Sequence, residues 1–271
     1  MRGRHEYRSE YQRLAFDERG HGVLLITLVG DPAKRNAADE LMHAELAQIW
    51  TDISSDPRVR AAVVTGCGRM FCAGADLGYV EELAGSHEKA TAMLDEMSHL
   101  VYNMVNCDKP IISAINGAAV GAGLVVALMA DISVCAEEAK LGDGHVKIGL
   151  AAGDHSAILW PLLIGMAKAR YYLLTGDLLT GIEAERIGLV SKALPRDQVL
   201  DEALRIAQTL ASGSQPAVRL TKRALNNWLR LAGPIFDQSA AYEMLTLLGP
   251  DLPEGIAALR EKRTPRFPSA R

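Results

Sequence analysis

The chain has 271 residues, of which 49% are hydrophobic, and its formal net charge at pH 7 is −4. This length can bury one large core, and the slightly acidic balance provides no basic surface for nucleic acid. The longest apolar run is too short and too rich in glycine to span a bilayer, and no signal peptide is evident. We therefore expect a cytoplasmic protein that binds neither membrane nor nucleic acid. The four cysteines fit neither a zinc site nor a disulfide framework.

The N-terminal part of the chain predicts a tail, a hairpin and a helix. Residues 1–10 are polar, and we expect them to be flexible. Tyr11–Phe16 and Val23–Leu28 have the composition of two hairpin strands. The near-helical spacing of apolar residues in Ala37–Ile53 predicts an amphipathic helix, and the β-branched run Val59–Thr65 predicts a buried strand.

The middle of the chain alternates strands, turns and helices. The small-residue turn Phe71–Leu77 follows a strand, which is where α/β proteins place ligands. Tyr79–Asn106 predicts a long helix with a weak point at Gly85-Ser86, and Ile111–Ile115 and Ile132–Cys135 predict buried strands. This alternation predicts an α/β fold with crossover connections.

The stretch Asn116–Asp131 combines three glycines in its first half with an entirely apolar second half. A helix that is apolar on all sides must be buried, and a glycine-rich entry leaves backbone N–H groups free to approach a ligand. The stretch therefore predicts a binding site for an oxygen that becomes negative during a reaction. A core helix with a tight glycine turn is the alternative.

The remainder of the chain predicts a glycine-rich loop and then helices. The loop spans Leu141–Asp154. The helices are Ser156–Ile164, Ala167–Thr175, Ile182–Ile187, Arg196–Ala211, Pro216–Leu231 and Pro234–Leu248. This helical C-terminal third predicts a second layer that is used for assembly.

Three groups of residues together resemble the crotonase superfamily, the enoyl-CoA hydratase/isomerase family. They are Phe71–Leu77, Lys109–Gly117 with Gly121–Gly123, and Leu174–Asp177 with Ala184–Val190. The resemblance implies an α/β fold with a ββα spiral core and active site in residues 11–195, and a helical trimerisation region in residues 196–271. It also implies an acyl-CoA substrate, a homotrimer or dimer of trimers, and no metal or redox cofactor.

The resemblance also assigns roles to individual residues. The backbone N–H groups of Ala75 and Ala122 would form an oxyanion hole for the thioester enolate. The residues that it places near coenzyme A are Lys34, Ala73, Asp76, Leu77 and, toward a neighbouring subunit, Lys262 and Phe267. For both lysines a solvated surface charge is the alternative.

The sequence departs from the hydratase pattern at both catalytic glutamates. Val125 and His145 occupy the two positions, and valine cannot carry a proton. His145 and Asp154 suggest a replacement pair, in which the aspartate would orient the ring. This loop resembles that of the superfamily's β-diketone hydrolases, such as oxocamphor hydrolase. The alternatives are a structural His145, an Asp154 that only caps a helix, and His155 as the base.

We therefore expect an acyl-CoA enzyme that uses the His145–Asp154 pair to cleave a carbon–carbon or thioester bond by hydrolysis. An atypical enoyl-CoA hydratase or isomerase is the first alternative. A non-catalytic acyl-CoA-binding subunit is the second alternative, because both hydratase glutamates are missing.

Overall fold

The computed structural model describes residues 7–270. Its strands, in chain order, are β1 (Leu14–Glu18), β2 (Val23–Leu28), β3 (Ala61–Gly66), β4 (Ile111–Ile115), β5 (Ala119–Val120), β6 (Ile132–Ala136), β7 (Lys140–Gly142), β8 (Leu179–Thr180) and β9 (Lys192–Leu194). The main sheet has the order β1-β2-β3-β4-β6-β9, and a small sheet has the order β5-β7-β8.

The main sheet is parallel except for its first strand. β1 pairs antiparallel with β2, with Leu14 opposite Leu28, and the neighbours from β2 to β9 are all parallel. Every residue of β3 and β4 is buried, as expected for central parallel strands that are covered on both faces. These two strands form the centre of the core and fix the loops that follow their carboxyl ends.

The helices cover this sheet and build a layer beyond it. They are α1 (Glu40–Ser55), α2 (Leu77–Ala84), α3 (His87–Asn106), α4 (Ala122–Met129), α5 (Ser156–Thr175), α6 (Gly181–Ile187), α7 (Arg196–Ser212), α8 (Gln215–Leu225), α9 (Asn227–Leu231), α10 (Gly233–Leu247) and α11 (Asp251–Glu261). Within residues 7–270, none of the helices has both the length and the apolar character needed to cross a membrane.

Helix ends follow the capping residues in the sequence. The Asp39 side chain accepts a hydrogen bond from the Met42 N–H and begins α1. The long helix predicted for Tyr79–Asn106 is two helices, because Gly85 ends α2 and Ser86 caps α3. Gly165, with φ of 74°, interrupts α5 where the sequence predicted a break between two helices.

Helix α7 lies within residues 196–271, the predicted trimerisation region, and it also packs on the core sheet. In the structure α7 packs against β3, β4 and β6, and its buried stripe is Val199, Ala203, Ala207 and Ala211. Small side chains at this spacing let the helix lie close to the sheet, so α7 belongs to the core.

The predicted N-terminal tail is only partly described, since residues 1–6 lie outside the described residues. Tyr7–Glu10 form a 3-10 turn rather than a loose segment. The Tyr7 ring packs edge-on against Tyr11, and the Arg8 guanidinium bonds both Glu18 and Asp56. These contacts join the turn to the first strand and to the end of α1.

Candidate active site

A mainly apolar cavity of about 100 Å³ lies between α2, α3, α4 and α10. Four of the residues that line it have polar side chains: His43, His145, Asp154 and Glu243. Ala75, Leu77 and Ala122 also line the cavity. Five of the residues that the sequence analysis selected are thus brought together, from the Ala75 turn, α4 and the loop before α5.

Two backbone N–H groups on the cavity wall have no internal acceptor. Within residues 7–270, neither the Ala75 N–H nor the Ala122 N–H makes a hydrogen bond. Ala75 follows Gly74 in the turn after β3, and Ala122 is the first residue of α4. An unpaired N–H at the start of a buried helix favours a negative oxygen, because the helix dipole adds to the hydrogen bond.

Glycines bring the Ala75 turn and the start of α4 together. Gly121 has φ of 49°, a conformation that side chains rarely adopt. A Cβ atom on Gly123 would lie 2.5 Å from the Cys72 carbonyl oxygen. A Cβ atom on Gly121 would lie 3.9 Å from His145 Cε1 and 4.0 Å from Gly74 Cα. The histidine ring therefore lies close to Gly121, the residue before Ala122, and it lines the same cavity as Ala75 and Ala122.

Val125 lines the same cavity from α4. It is buried and offers only methyl groups, so this wall supplies no proton carrier. The sequence indicated a departure from the hydratase pattern at Val125, and the structure places this residue on the cavity wall.

His145 is oriented by Asp143, whereas the sequence analysis expected Asp154 in that place. The His145 Nδ1 lies 2.7 Å from Asp143 Oδ1, which also accepts the His145 backbone N–H at 3.1 Å. The sequence contained a signal for this pairing, because an aspartate commonly accepts hydrogen bonds from the residue two positions later. Asp143 and His145 are two residues apart in one short loop, which holds their side chains together, whereas Asp154 lies just before α5.

Asp154 instead pairs with the histidine next to it. Its Oδ1 lies 2.8 Å from His155 Nδ1 and accepts the Ser156 N–H at 3.3 Å, so it contributes to the start of α5. His155 is fully buried and does not line the cavity. The structure therefore does not bring His155, the alternative base, to the cavity.

The Ser156 hydroxyl connects the two aspartates. Its Oγ lies 2.5 Å from Asp143 Oδ2 and 3.1 Å from Asp154 Oδ1. The hydroxyl carries one proton and can donate it to one carboxylate at a time. Since both carboxylates are buried, this hydroxyl reduces the repulsion between two charges that would otherwise face each other.

Glu243 is a site residue that the sequence analysis missed. It projects from α10, and its Oε1 lies 3.5 Å from His145 Nε2. Its Oε2 has no hydrogen-bond partner within residues 7–270. A Cβ atom on Gly153 would lie 2.4 Å from Glu243 Cβ, so only glycine lets α10 approach this closely. One feature of α10 could have drawn attention to Glu243. A carboxylate stands there among the residues that the helix buries, next to Met244 and one turn from Ala240.

Burial and charge set the protonation of this cluster. Burial by itself would lower the pKa of His145, but the negative charges of Asp143 and Glu243 outweigh it and raise the pKa well above the usual value. Burial raises the pKa of Glu243 to about 8. Burial opposes ionisation of Asp143 too, but the adjacent His145 charge lowers the pKa of Asp143. The pKa of Asp154 is likewise lowered, because the charge of His155 outweighs its burial.

The ring of His145 thus lies between two different carboxyl groups. The pKa of Asp143 is low, so its carboxylate keeps a negative charge at neutral pH, while the pKa of Glu243 allows it to exchange a proton near pH 8. The cluster can hold a proton on the imidazole and release or accept another at the glutamate. Such a pair is suited to proton transfer next to the free N–H groups.

The residues predicted near coenzyme A divide between the cavity and a separate groove. Lys34 Nζ lies 2.7 Å from Asp76 Oδ2, and both residues line a polar groove of about 380 Å³ on the outer side of the Ala75 turn. The Lys34 ammonium lowers the pKa of Asp76. Leu77, the next residue, lines the apolar cavity, so consecutive residues of one turn face both spaces.

The other residues predicted near coenzyme A line neither space. The Ala73 N–H donates to the Arg35 carbonyl at 3.2 Å and fixes the turn to the loop that carries Lys34. Lys262 ends α11 in the left-handed conformation, and Phe267 follows in the C-terminal segment. Their expected contact is with the ligand of a neighbouring subunit, and it stays a prediction.

Asp143, His145 and Asp154 also have the residue types of a metal site, with ligand atoms within 4.8 Å of one another. However, Asp143 Oδ1 and His145 Nδ1 are already paired with each other, and Ser156 occupies the space between the carboxylates. The arrangement is that of a hydrogen-bonded network. Burial raises the pKa of Cys72 to about 11, so this thiol is a weak nucleophile at neutral pH.

The family model described as enoyl-CoA hydratase/isomerase matches residues 18–270. A putative enoyl-CoA hydratase of Thermus thermophilus is 37% identical over 258 residues, which are 92% of this chain and 98% of that protein. A crotonyl-CoA hydratase of Syntrophomonas wolfei is 31% identical over 250 residues, with 90% and 94% covered.

Solved structures give the same result. An enoyl-CoA hydratase/isomerase from Mycobacterium paratuberculosis has a TM-score of 0.86 and 32% identity, covering 90% of this chain and 97% of that chain. A β-diketone hydrolase from the cyanobacterium Anabaena, bound to (S)-3-oxocyclohexyl acetic acid, has a TM-score of 0.83 and 28% identity at the same coverage. These likenesses confirm the expected fold and the expected resemblance to both groups of enzymes.

Proposed function

Because the chain belongs to the enoyl-CoA hydratase/isomerase family, we propose that it is an acyl-CoA enzyme that cleaves a carbon–carbon or thioester bond by hydrolysis. The observation that carries the proposal is the position of His145, between the Asp143 and Glu243 carboxyl groups and in the same cavity as the free backbone N–H groups of Ala75 and Ala122. The departures from the hydratase pattern at positions 125 and 145 favour hydrolysis over ordinary hydration.

The backbone N–H groups of Ala75 and Ala122 would bind the thioester oxygen. Negative charge develops on this oxygen when the thioester becomes an enolate, and a fixed donor stabilises the transition state more than the substrate. Donors of this kind contribute about 3–4 kcal/mol each in comparable sites. Since only the backbone acts, alanine serves at both positions.

Water would be activated between the histidine and the glutamate. His145 Nε2 and Glu243 Oε1 are 3.5 Å apart, a separation at which a water molecule or a substrate oxygen can contact both. In a 3-oxoacyl thioester the water oxygen bonds to carbon 3, and the bond between carbons 2 and 3 breaks. The electron pair of that bond enters the thioester enolate. Carbon 2 then takes up a proton, which yields a carboxylic acid and a shorter acyl-CoA.

The pKa directions assign the two proton-transfer roles. Glu243, with a pKa of about 8, would accept the proton of the water as general base. His145, whose pKa is raised well above the usual value by Asp143 and Glu243 against its burial, would donate a proton to the enolate carbon. This differs from the expectation of a His145–Asp154 pair. Asp154 would act indirectly, because its carboxylate contacts the Ser156 hydroxyl, which in turn contacts Asp143.

Hydration of an enoyl-CoA is the second candidate. Two observations favour it: His145 and Glu243 are two proton carriers on one cavity, and several relatives are named enoyl-CoA hydratases. The third expectation, a non-catalytic acyl-CoA-binding subunit, loses its main argument, because Glu243 supplies a carboxyl group that the sequence did not reveal.

Coenzyme A would lie on the outer side of the Ala75 turn. Lys34 and Asp76 line the polar groove there, while Leu77, the residue after Asp76, lines the cavity. Ala73 would fix the turn to the loop that carries Lys34, through its hydrogen bond to Arg35. The Lys34 side chain is 57% exposed and can leave Asp76 to pair with a phosphate. Lys262 and Phe267 would complete the site of an adjacent subunit.

We propose a homotrimer, or a dimer of trimers, as the working assembly. Large apolar side chains are exposed on α5 and on α8 to α10, among them Leu162, Met166, Leu220, Trp228 and Leu231. Surfaces of this kind mark subunit contacts. Sedimentation of the protein at micromolar concentration should give a trimer or hexamer, and a monomer alone would contradict the proposal.

The proposed reaction is tested by product analysis. We expect the wild type to convert 3-oxoacyl-CoA or saturated acyl-CoA esters to carboxylic acids with uptake of one oxygen from labelled water, and to hydrate crotonyl-CoA poorly. Mass spectrometry identifies the products, and His145→Ala is the inactive comparison. Fast hydration of crotonyl-CoA without cleavage would replace the first candidate by the second.

A further inference from the structure

One polar side chain on the cavity wall takes no part in the proposed chemistry. His43 lies on α1, is 5% exposed, and lines the cavity. The other polar side chains there, His145, Asp154 and Glu243, come from the acid–base side. The remaining wall around His43 is apolar and is formed mainly by α2 and α3. An isolated polar group in an apolar pocket typically fixes the orientation of a ligand.

The two ring nitrogens of His43 are not equivalent. Its Nδ1 makes a short hydrogen bond with Glu96 Oε1 on α3. Its Nε2 has no hydrogen-bond partner within residues 7–270. A ring nitrogen that has no protein partner and lies on the wall of an apolar cavity can take its hydrogen bond from a ligand. Glu96 thus orients the ring and leaves one nitrogen available.

A structural link between helices does not require this histidine. The Asn103 side chain of α3 already donates to the Ala47 carbonyl of α1 at 2.8 Å. An apolar side chain in place of His43 would pack against α3 equally well, since buried ion pairs are seldom more stabilising than apolar contacts. A ring with one free nitrogen on the cavity wall is better explained by a contact with a bound ligand than by a structural role.

The position of His43 relative to the thioester site follows from the start of α1. The Ala38 N–H donates to the Gly74 carbonyl at 2.8 Å, and the Asp76 N–H donates to the Ala38 carbonyl at 2.8 Å. The residues on either side of Ala75 are thus joined to the chain just before α1. His43 lies one helical turn, about 6 Å, beyond the cap at Asp39. His43 and Ala75 line the same cavity, so an acyl group whose thioester lay at Ala75 would extend along the wall that carries His43.

We infer that the cavity selects acyl groups that carry a further oxygen, a hydroxyl or an oxo group, beyond the reacting carbons, and that His43 Nε2 binds this oxygen. The inference rests on the proposed function, because it assumes that the thioester lies at Ala75 and Ala122. It makes His43 the residue that determines specificity, with Glu96 as its positioning residue.

The two oxygen types make different demands on the ring. An oxo group only accepts, so it requires an N–H at Nε2. A hydroxyl group can donate to a bare Nε2 or accept from an Nε2–H. The shared chemistry is a hydrogen bond to a substituent oxygen.

The test compares CoA esters of equal chain length that are unsubstituted, hydroxylated or oxidised on the outer half of the acyl chain. In the wild type we expect kcat/KM for one oxygenated ester to exceed that for the unsubstituted ester by about tenfold or more. His43→Leu should bring this ratio close to one, and His43→Gln, which keeps a polar atom near the Nε2 position, should restore part of it. His99→Leu on the exposed face of α3 is the matched control and should keep the wild-type ratio.

Failure of this inference differs from failure of the proposed function. Turnover of all three esters at equal kcat/KM by the wild type overturns the role of His43 and leaves the reaction standing. That result needs no variant and holds even where His43→Leu does not fold. If no ester reacts, the same comparison is made by equilibrium binding, and equal affinities of the wild type for all three esters overturn the inference.

Discussion

The two sides of the cavity are built in different ways. One side presents backbone N–H groups, from Ala75 and Ala122, and each is set by a glycine-containing turn within a few residues. The other side presents side chains from three separate places: the loop at residues 143–145, the start of α5, and α10. The first side depends on local chain geometry, and the second depends on how distant segments pack.

This difference explains which parts of the site can change. A backbone donor is insensitive to the identity of its side chain, so the side with the backbone N–H groups can persist while the side chains opposite are replaced. Here Val125 removes one hydratase carboxylate, and Glu243 brings another carboxyl group from a different helix. The proposed change of reaction therefore lies on one side of the cavity only.

The largest expected loss of activity comes from a substitution on the side of the cavity that presents side chains. His145→Ala should lower kcat by about 10²–10⁴-fold, because it removes the proposed proton donor, which lies 3.5 Å from Glu243. Steady-state kinetics with the best ester measure this effect, and His99→Ala on an exposed surface is the control. Unchanged kcat in a folded His145→Ala protein would place the proton transfer elsewhere.

The next largest loss of activity is expected on the side of the cavity that presents backbone N–H groups. Ala122→Pro deletes one N–H at a helix position where proline is tolerated, and should lower kcat by about 10²–10³-fold. Ala122→Ser retains the N–H and should lose far less. If both variants lose the same amount, the side chain matters at this position and the contrast between the two sides fails.

Glu243→Gln tests the new carboxyl group by its pH dependence. Because burial raises the pKa of Glu243 to about 8, wild-type kcat should rise with pH through this value, as the base ionises. The Gln variant should lose about 10²-fold at pH 9 and should lack this rise. A rise near pH 8 that persists in Glu243→Gln would assign the titration to another group.

The same substitution should also change stability in a direction that the pKa fixes. In the unfolded chain a glutamate ionises near pH 4.3. Since the folded pKa of Glu243 is raised to about 8, its contribution to stability is present at low pH and is lost as pH rises between these values. The melting temperature of Glu243→Gln, relative to the wild type, should therefore be higher at pH 8 than at pH 5. An equal offset at both pH values would mean that the glutamate ionises normally.

The smallest expected effect concerns Ser156, which touches neither the substrate nor the cavity. Ser156→Ala leaves Asp143 and Asp154 without their shared donor, so kcat should fall by about tenfold and the alkaline limb of the pH profile should move. Ser98→Ala, which removes a hydroxyl bonded only to its own helix, is the matched control. An unchanged pH profile would limit Ser156 to a structural role.

The sequence by itself was sufficient for features that depend on neighbouring residues. The central strands, the break at Gly85-Ser86, the turn at Ala75 and the apolar helix that begins at Ala122 were all predictable, because periodicity, capping and glycine content act locally. The family resemblance was visible for the same reason, since it depends on short motifs in a fixed order.

Only the tertiary structure decided which carboxyl groups surround His145. Asp143 and Asp154 are both close to it in sequence, and loop geometry assigned Nδ1 to Asp143 and left Asp154 with His155. Glu243 is far away along the chain, and its place in the cavity depends on the close packing of α10 against Gly153. Packing between distant helices also determined its pKa, because burial, which no local pattern encodes, opposes its ionisation.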